Sequence, residues 1–173
     1  MSDKYKQMLP LNLPNFDIKV KKTAEQLFVW DETRRKYITL TLEEWVRQHF
    51  VHFLVSEKGY KQELIANEVS IKLNETTKRC DTIIYDRQLT PLMIVEYKAP
   101  TITITPKVFD QIVRYNMVLH VQYLTVSNGL RHFCCQINYE TQSYRFLKEI
   151  PDAQEIGQMN ENPLSSSAHA ANR

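Results

Sequence analysis

The residues best suited to chemistry stand at the end of one apolar segment. Residues 91–100 read Pro-Leu-Met-Ile-Val-Glu-Tyr-Lys-Ala-Pro, so an apolar run between two prolines leads into Glu96 and Lys98. This pattern predicts a buried central strand. Side chains two positions apart in a strand share a face, which places the carboxylate beside the ammonium group. Burying both charges is costly without a compensating group, so the pattern favours a catalytic or cation-binding site.

A second acid, Asp81, lies one hairpin upstream of this strand. Strand-like segments at residues 65–73 and 79–85 flank a polar stretch and predict an antiparallel hairpin, and a turn then leads to the strand of Glu96. Neighbouring antiparallel strands lie about 4.8 Å apart, so the two carboxylates can share one cation. The triplet Asp17-Ile18-Lys19 has the same acid-to-lysine spacing but lacks both the apolar run and the upstream acid.

This arrangement predicts a particular chemistry. Two carboxylates, a backbone carbonyl and water molecules suit Mg²⁺, which keeps much of its hydration shell. The ion would polarise a phosphodiester and generate a hydroxide nucleophile, while Lys98 would orient or deprotonate that water and stabilise charge on the phosphate. The alternative interpretation of Glu96 and Lys98 is a cross-strand salt bridge on an edge strand.

The segments before the hairpin predict further regular structure. Residues 1–22 indicate an extended stretch, and residues 27–30 and 37–40 indicate a β-hairpin. Apolar residues at helical spacing then predict a helix that begins at the N-cap Thr41 and ends before Gly59. Glu44, three residues after Thr41, completes a capping-box pattern.

The segments after the central strand predict a mixed sheet. Helical spacing predicts a second helix after Pro106, and an apolar strand follows at residues 121–126. A strand, helix and strand in this order imply a right-handed parallel crossover. Residues 130–136 and 143–147 are predicted to form edge strands.

The first helix carries a polar side with four candidate residues, Glu43, Glu44, Arg47 and Gln48. Spacing alone favours a solvated face on which Glu43 pairs with Arg47 and the acids lie near the positive end of the helix dipole. Only proximity to the strand of Glu96 would give this face a role in the site.

Length and composition predict one domain over residues 1–150, with an N-terminal hairpin extension, and a mobile polar tail over residues 151–173. The net charge of +2 is compatible with a polyanionic partner but does not identify one. With three glycines, a Gly-rich nucleotide-binding loop is excluded. The odd number of cysteines and the lack of an apolar run of ~20 residues predict a cytoplasmic protein without a membrane span.

Taken together, these residues resemble the PD-(D/E)xK nucleases. Asp81 followed by Glu96-Tyr97-Lys98 matches the nuclease signature. The surroundings resemble one branch, the N-terminal domain of type I restriction enzyme R proteins, over most of residues 10–135. The matching segments are Leu11-Asn12-Leu13-Pro14, Lys36-Tyr37-Ile38, Leu42-Glu43-Glu44-Trp45-Val46-Arg47-Gln48, Gly59-Tyr60, Arg79-Cys80-Asp81, Glu96-Tyr97-Lys98-Ala99-Pro100, Gln111-Ile112-Val113-Arg114-Tyr115-Asn116 and Ser127-Asn128-Gly129.

The resemblance implies a restriction-endonuclease-like α/β fold, in which a mixed β-sheet is flanked by helices, and cleavage of DNA with Mg²⁺ or Mn²⁺. It implies that Asp81 and Glu96 are metal ligands and that Lys98 is the catalytic lysine. Glu44 matches the helical acid that completes the metal shell, with Glu43 as the alternative.

The resemblance also extends to residues outside the signature. Gln111 matches a glutamine of the catalytic set, and Arg47, Gln48, Arg114 and Tyr115 are predicted to contact DNA. For Gln111 and Tyr115 the alternative is an exposed glutamine and a packed tyrosine on an ordinary helix. Because the family's domain normally precedes a helicase-like motor, a motor or a restriction-modification subunit is an expected partner.

Three functions from different classes are compatible with the sequence. The first is a metal-dependent nuclease, in which Asp81, Glu96 and Lys98 converge in one metal shell. The second is a DNA-binding module that does not cut, and the third is an assembly domain that docks on a separate motor or modification subunit. The presence of every signature residue favours the nuclease.

Overall fold

The computed structural model describes residues 10–73, 76–117 and 119–156, without the side chains of Leu73, Thr76 and Tyr115. These residues form a three-stranded sheet near the N-terminus, a six-stranded mixed sheet and two α-helices. The elements in chain order are β1 (Val20–Lys22), β2 (Leu27–Asp31), β3 (Lys36–Thr39), α1 (Leu42–Ser56), a 3₁₀ helix (Gln62–Leu64), β4 (Ile65–Leu73), β5 (Thr76–Tyr85), β6 (Pro91–Tyr97), α2 (Pro106–Met117), β7 (Tyr123–Ser127), β8 (His132–Asn138) and β9 (Ser143–Phe146).

The six-stranded sheet has the order β4-β5-β6-β7-β8-β9. All neighbours pair antiparallel except β6 and β7, which are parallel and joined by α2. The predicted hairpin, central strand and parallel crossover are therefore confirmed. The prediction that both last strands lie at an edge is wrong for β8, which pairs with β7 on one side and β9 on the other.

Each face of this sheet packs against one helix. On β6, Met93, Val95 and Tyr97 belong to the core that includes α1, whereas Ile94 belongs to the core that includes α2. This alternation follows from the period of two in a strand. Glu96 therefore leaves the sheet on the same face as Ile94, toward α2.

Helix α1 begins as its sequence predicts. The Thr41 hydroxyl accepts a hydrogen bond from the Glu44 N–H at 3.0 Å, which satisfies one of the free amides of the first turn. The second half of the predicted capping box does not form, because the Glu44 carboxylate is bound to other side chains. The helix ends at Ser56, three residues before the left-handed Gly59.

The segment before β1 packs on the turn after β7. The Asn12 N–H donates to the Gly129 carbonyl at 2.8 Å, and Asn12's own carbonyl lies 3.0 Å from Nε2 of His132. Since a carbonyl only accepts, Nε2 carries the proton, and the Ser127 hydroxyl donates to Nδ1 at 2.8 Å. The turn also holds β6, because the Lys98 N–H donates to the Ser127 carbonyl at 2.9 Å.

The first part of the predicted tail belongs to the folded body. The Tyr60 hydroxyl donates to the Pro151 carbonyl at 2.8 Å, and Ile156 is buried in the α1 core. Residues 151–156 therefore pack against the folded body, where Ile156, together with Ile150 just before them, supplies buried apolar surface. Residues 157–173 lie outside the described part of the chain.

Replacing Gly129 with alanine is expected to lower the free energy of unfolding by about 2 kcal/mol, measured by urea denaturation. Its φ is +81°, and an added Cβ would lie 2.6 Å from Cδ2 of Leu11. Gly59→Ala is the matched control, because its φ is +69° but no atom lies within 4 Å of the added Cβ. It should cost only about 1 kcal/mol for the backbone. Equal losses in the two variants would contradict close packing of Leu11 on the turn.

Candidate active site

The site forms where β5 and β6 separate. Their paired register ends at Thr82 and Val95. Beyond this pair the Tyr97 N–H donates to Oδ2 of Asp81 at 2.9 Å, so a carboxylate takes the place of a backbone carbonyl. We call this point of separation the fork. Asp81 and Glu96 lie in it, each one residue beyond the last pair.

A local irregularity in β4 and β5 aims the Asp81 side chain. Cys80 and Ile83 both belong to the α2 core, although an odd separation should place them on opposite faces. The alternation is therefore interrupted between them, at the position of Asp81. Glu68, between the paired residues Asn67 and Val69, has a left-handed φ of +56°. The Asp81 carboxylate consequently reaches both Tyr97 and the α1 side of the sheet.

Glu96 carries a carboxylate that the protein only partly compensates. Its Oε1 is buried and has no hydrogen-bond partner among the described residues. Burial and the neighbouring charge of Asp81 raise the pKa of Glu96 to about 7. Lys98, the Asn116 amide and Lys78 lower this pKa, but by less. Such a group binds a proton or a cation readily near neutral pH.

The opposite side of Asp81 faces a buried arginine. Nη2 of Arg47 lies 3.4 Å from Oδ1 of Asp81 and 2.6 Å from Oε1 of Glu68, and Nη1 lies 2.9 Å from Oε2 of Glu44. The guanidinium carbon lies 5.6 Å from the centre of the Tyr97 ring. Burial alone would lower the pKa of Arg47, but Glu44, Asp81 and Glu68 raise it by more. Arg47 is therefore a permanent positive charge inside the fold.

The ion pairs continue from Glu44 into the N-terminal sheet. Nη2 of Arg34 lies 3.1 Å from Oε1 of Glu44, and Nε of Arg34 lies 2.5 Å from Oδ2 of Asp31. Asn67 donates to Asp31 at 3.3 Å and accepts from the Thr82 hydroxyl at 2.7 Å. The hairpin of β2 and β3 is thereby tied to the same strands that carry the site.

The polar side of α1 is not a solvated face, and that interpretation is wrong. Glu44, Arg47 and Gln48 are only 7, 4 and 8% exposed. Arg47 pairs with Glu44 three residues away and not with Glu43, which is exposed. Gln48 donates to Oε1 of Glu44 at 2.8 Å. In this arrangement the polar groups of Arg47 and Gln48 are engaged within the protein, so their predicted contact with DNA stays a prediction.

The predicted residues on α2 occupy a different environment. Gln111 and Arg114 are exposed. The side chain of Tyr115 lies outside the described part of the structure. The roles predicted for Gln111 in catalysis and for Arg114 and Tyr115 in DNA binding therefore also stay predictions.

The three predicted metal ligands, Asp81, Glu96 and Glu44, do not form one cluster in the described structure. No group of three His, Cys, Asp or Glu residues suited to hold a metal exists within residues 10–73, 76–117 and 119–156. Glu44 and Asp81 both contact the Arg47 guanidinium, which lies between them in the place where a shared metal ion would have to bind. Asp81 and Glu96 nevertheless fit a hydrated divalent cation, because Asp81 is 27% exposed and Glu96 keeps a buried oxygen without a donor.

Sequence reasoning missed two polar residues beside the site. Glu68 and Asp81 are the unpaired residues between the pairs Asn67–Thr82 and Val69–Cys80, and counting outward from the predicted hairpin turn would have found Glu68. Asn116 stands within the apolar stripe of α2, yet it is 1% exposed and lies near Glu96. A polar residue within an apolar stripe was the available signal.

The structure is an α/β domain with a mixed sheet. The fork places Asp81, Glu96 and Lys98 near the centre of that sheet. The family model for the type I restriction enzyme R protein N terminus matches residues 42–151. The chain belongs to that family. No curated protein matches it.

One solved structure supports the fold. It is a fragment assigned as the HsdR subunit of a type I restriction enzyme from Vibrio vulnificus YJ016, with 17% sequence identity and a TM-score of 0.50. The match covers 73% of this chain and 27% of the Vibrio chain. This chain therefore corresponds to about a quarter of that relative. Within the described residues, no helix is long and apolar enough to cross a membrane.

Replacing Glu96 with glutamine is expected to stabilise the metal-free protein at pH 8 by on the order of 2 to 3 kcal/mol. The folded-state pKa of about 7 lies above the ordinary value of 4.5. The stabilising protonation is therefore complete below pH 4.5 and lost as the pH rises through 7. Urea unfolding at pH 5 and pH 8 measures the difference.

An NMR titration of the Glu96 carboxyl gives the control for this prediction. Asp81→Asn should lower the pKa of Glu96, because it removes the neighbouring negative charge. A wild-type pKa near 4.5, or an equal effect of Glu96→Gln at both pH values, would contradict the described environment.

Proposed function

We propose that this chain is a metal-dependent DNA nuclease domain that hydrolyses phosphodiester bonds. The observation that carries the proposal is the buried, unpartnered Oε1 of Glu96 beside Asp81, at the point where β5 and β6 separate. A divalent cation, Mg²⁺ or Mn²⁺, would compensate both carboxylates. Membership of the type I restriction enzyme R protein family supports a role in restriction.

The protein's own groups suit this chemistry. Asp81 is held by the Tyr97 N–H and by Arg47, so its carboxylate has a fixed orientation. Lys98 follows Glu96 on the same face and is anchored through its backbone to Ser127. Its ammonium group would orient the attacking water and stabilise charge on the phosphate oxygens. The bound cation would polarise the phosphate and acidify water.

Exposed cations near these strands suit a DNA backbone. The exposed side chains on α2 include Lys107 and Arg114, and Arg79 on β5 is 71% exposed. Phosphate contacts by such residues would supply affinity without reading sequence. DNA is therefore the proposed substrate, and a motor or restriction-modification subunit is a proposed partner.

Cleavage of supercoiled and linear DNA by the purified chain tests this function. Cutting is expected with Mg²⁺ or Mn²⁺ and not with EDTA, and Asp81→Ala and Lys98→Ala should each reduce the rate at least about 100-fold. Lys107→Ala is the matched control for a lost lysine. It should retain the cleavage rate constant and weaken only DNA binding.

The outcomes separate the proposed nuclease from the second candidate. Metal-dependent cutting that survives in Asp81→Ala would contradict the site. DNA binding and Mn²⁺ binding without cutting would favour a domain that acts only with a motor or specificity subunit. That candidate is favoured by the family model, which describes the N terminus of type I restriction enzyme R proteins.

A further inference from the structure

Arg47 lies where three elements each contribute a carboxylate. Glu44 comes from α1, Glu68 from β4 and Asp81 from β5, and the guanidinium lies 2.6 to 3.4 Å from all three. The arginine is only 4% exposed. Its Nε has no hydrogen-bond partner among the described residues, so charge, and not a full set of hydrogen bonds, holds the group.

This cluster lies on the face of the sheet opposite to Glu96. Arg47 and Tyr97 are on the α1 side, whereas Glu96 points toward α2. Asp81 takes part in both environments, because one oxygen is 3.4 Å from Arg47 and its charge raises the pKa of Glu96. On one side of the fork the acids are therefore paired with Arg47, whereas on the other side Glu96 is only partly compensated.

A buried cation among three carboxylates is difficult to remove without replacement. Deleting one partner of a buried ion pair leaves an uncompensated charge in a medium of low dielectric constant. The carboxylate oxygens that Arg47 contacts are also the hard ligands that Mg²⁺ and Mn²⁺ prefer. In the described structure Arg47, and not a metal, balances this group. Only removal of the guanidinium would leave the three carboxylates open to a divalent ion.

We propose that Arg47 is the resident cation of the site, which compensates Glu44, Glu68 and Asp81 and so limits the site to one divalent ion, between Asp81 and Glu96. This inference rests on the proposed function, because it concerns the same metal site. It assigns Glu44 to the arginine and not to the metal shell. Arg47 is accordingly a positioning residue, which fixes Asp81 from the side opposite to the metal.

Calorimetric titration of the purified chain with Mn²⁺ tests the proposal through stoichiometry, independently of cleavage. Wild-type protein is expected to bind one ion and Arg47→Met two, because the loss of the guanidinium frees three carboxylates. Arg47→Lys should stay at one, since it keeps the charge. Arg79→Met is the matched control, because Arg79 also contacts Glu68 but is 71% exposed and is not in contact with Asp81. It should also bind one.

Thermal unfolding provides the second measurement, because Arg47→Met is expected to be unstable without metal. Saturating Mn²⁺ should raise its melting temperature by more than that of the wild type. Two ions in the wild type, no additional ion in Arg47→Met compared with the wild type, or an Arg47→Met chain that stays unfolded with saturating Mn²⁺ would each overturn the proposal.

A different result separates this proposal from the proposed function. If the wild type binds no Mn²⁺ and Arg47→Met binds one ion, the resident cation is supported and the metal-dependent nuclease is contradicted. If neither protein binds an ion, both are contradicted.

Discussion

The separation of β5 from β6 after Thr82 and Val95 is the constraint on which the site depends. A continued ladder would pair the Tyr97 N–H with a carbonyl and leave no room at the centre of the sheet. Here the Asp81 carboxylate accepts that hydrogen bond, so a charged side chain, and not a backbone carbonyl, connects the two strands at the fork. A half-buried carboxylate must in turn be compensated, and Arg47 supplies a cation on the α1 side. On the other side, Glu96 is only partly compensated, by Lys98 and Lys78.

This division explains why the N-terminal sheet belongs to the same structure as the site. Arg47 pairs with Glu44, Glu44 pairs with Arg34, and Arg34 pairs with Asp31 at the end of β2. Each acid in this series of ion pairs contacts the next base. The Asp81 carboxylate at the fork is therefore positioned by contacts that begin in the N-terminal sheet. Within the sheet, the Ser127 carbonyl at the end of β7 holds the backbone of Lys98. The site is therefore fixed both by α1 and by the neighbouring strand β7.

The sequence predicted the architecture well because local signals and the fold agree. Apolar run length identified β6, the Thr41 cap set the start of α1, and the strand, helix and strand order gave the parallel crossover. It failed where long-range pairing decides the environment. The polar side of α1 has the spacing of a solvated face, and only the approach of Glu68 and Asp81 from other strands buries it. The interrupted alternation at Asp81 likewise depends on its neighbour strand, so no periodicity in β5 alone could reveal it.

The central claim is that one divalent cation binds between Asp81 and Glu96 while Arg47 remains in place. A crystal structure of the chain soaked in Mn²⁺, with anomalous diffraction recorded at the manganese edge, tests it most directly. The account predicts a single anomalous peak within coordination distance of both carboxylates, with the Arg47 guanidinium still bound to Glu44, Glu68 and Asp81. A peak among Glu44, Glu68 and Asp81 with Arg47 displaced, or no peak at Glu96 at saturating Mn²⁺, would contradict it.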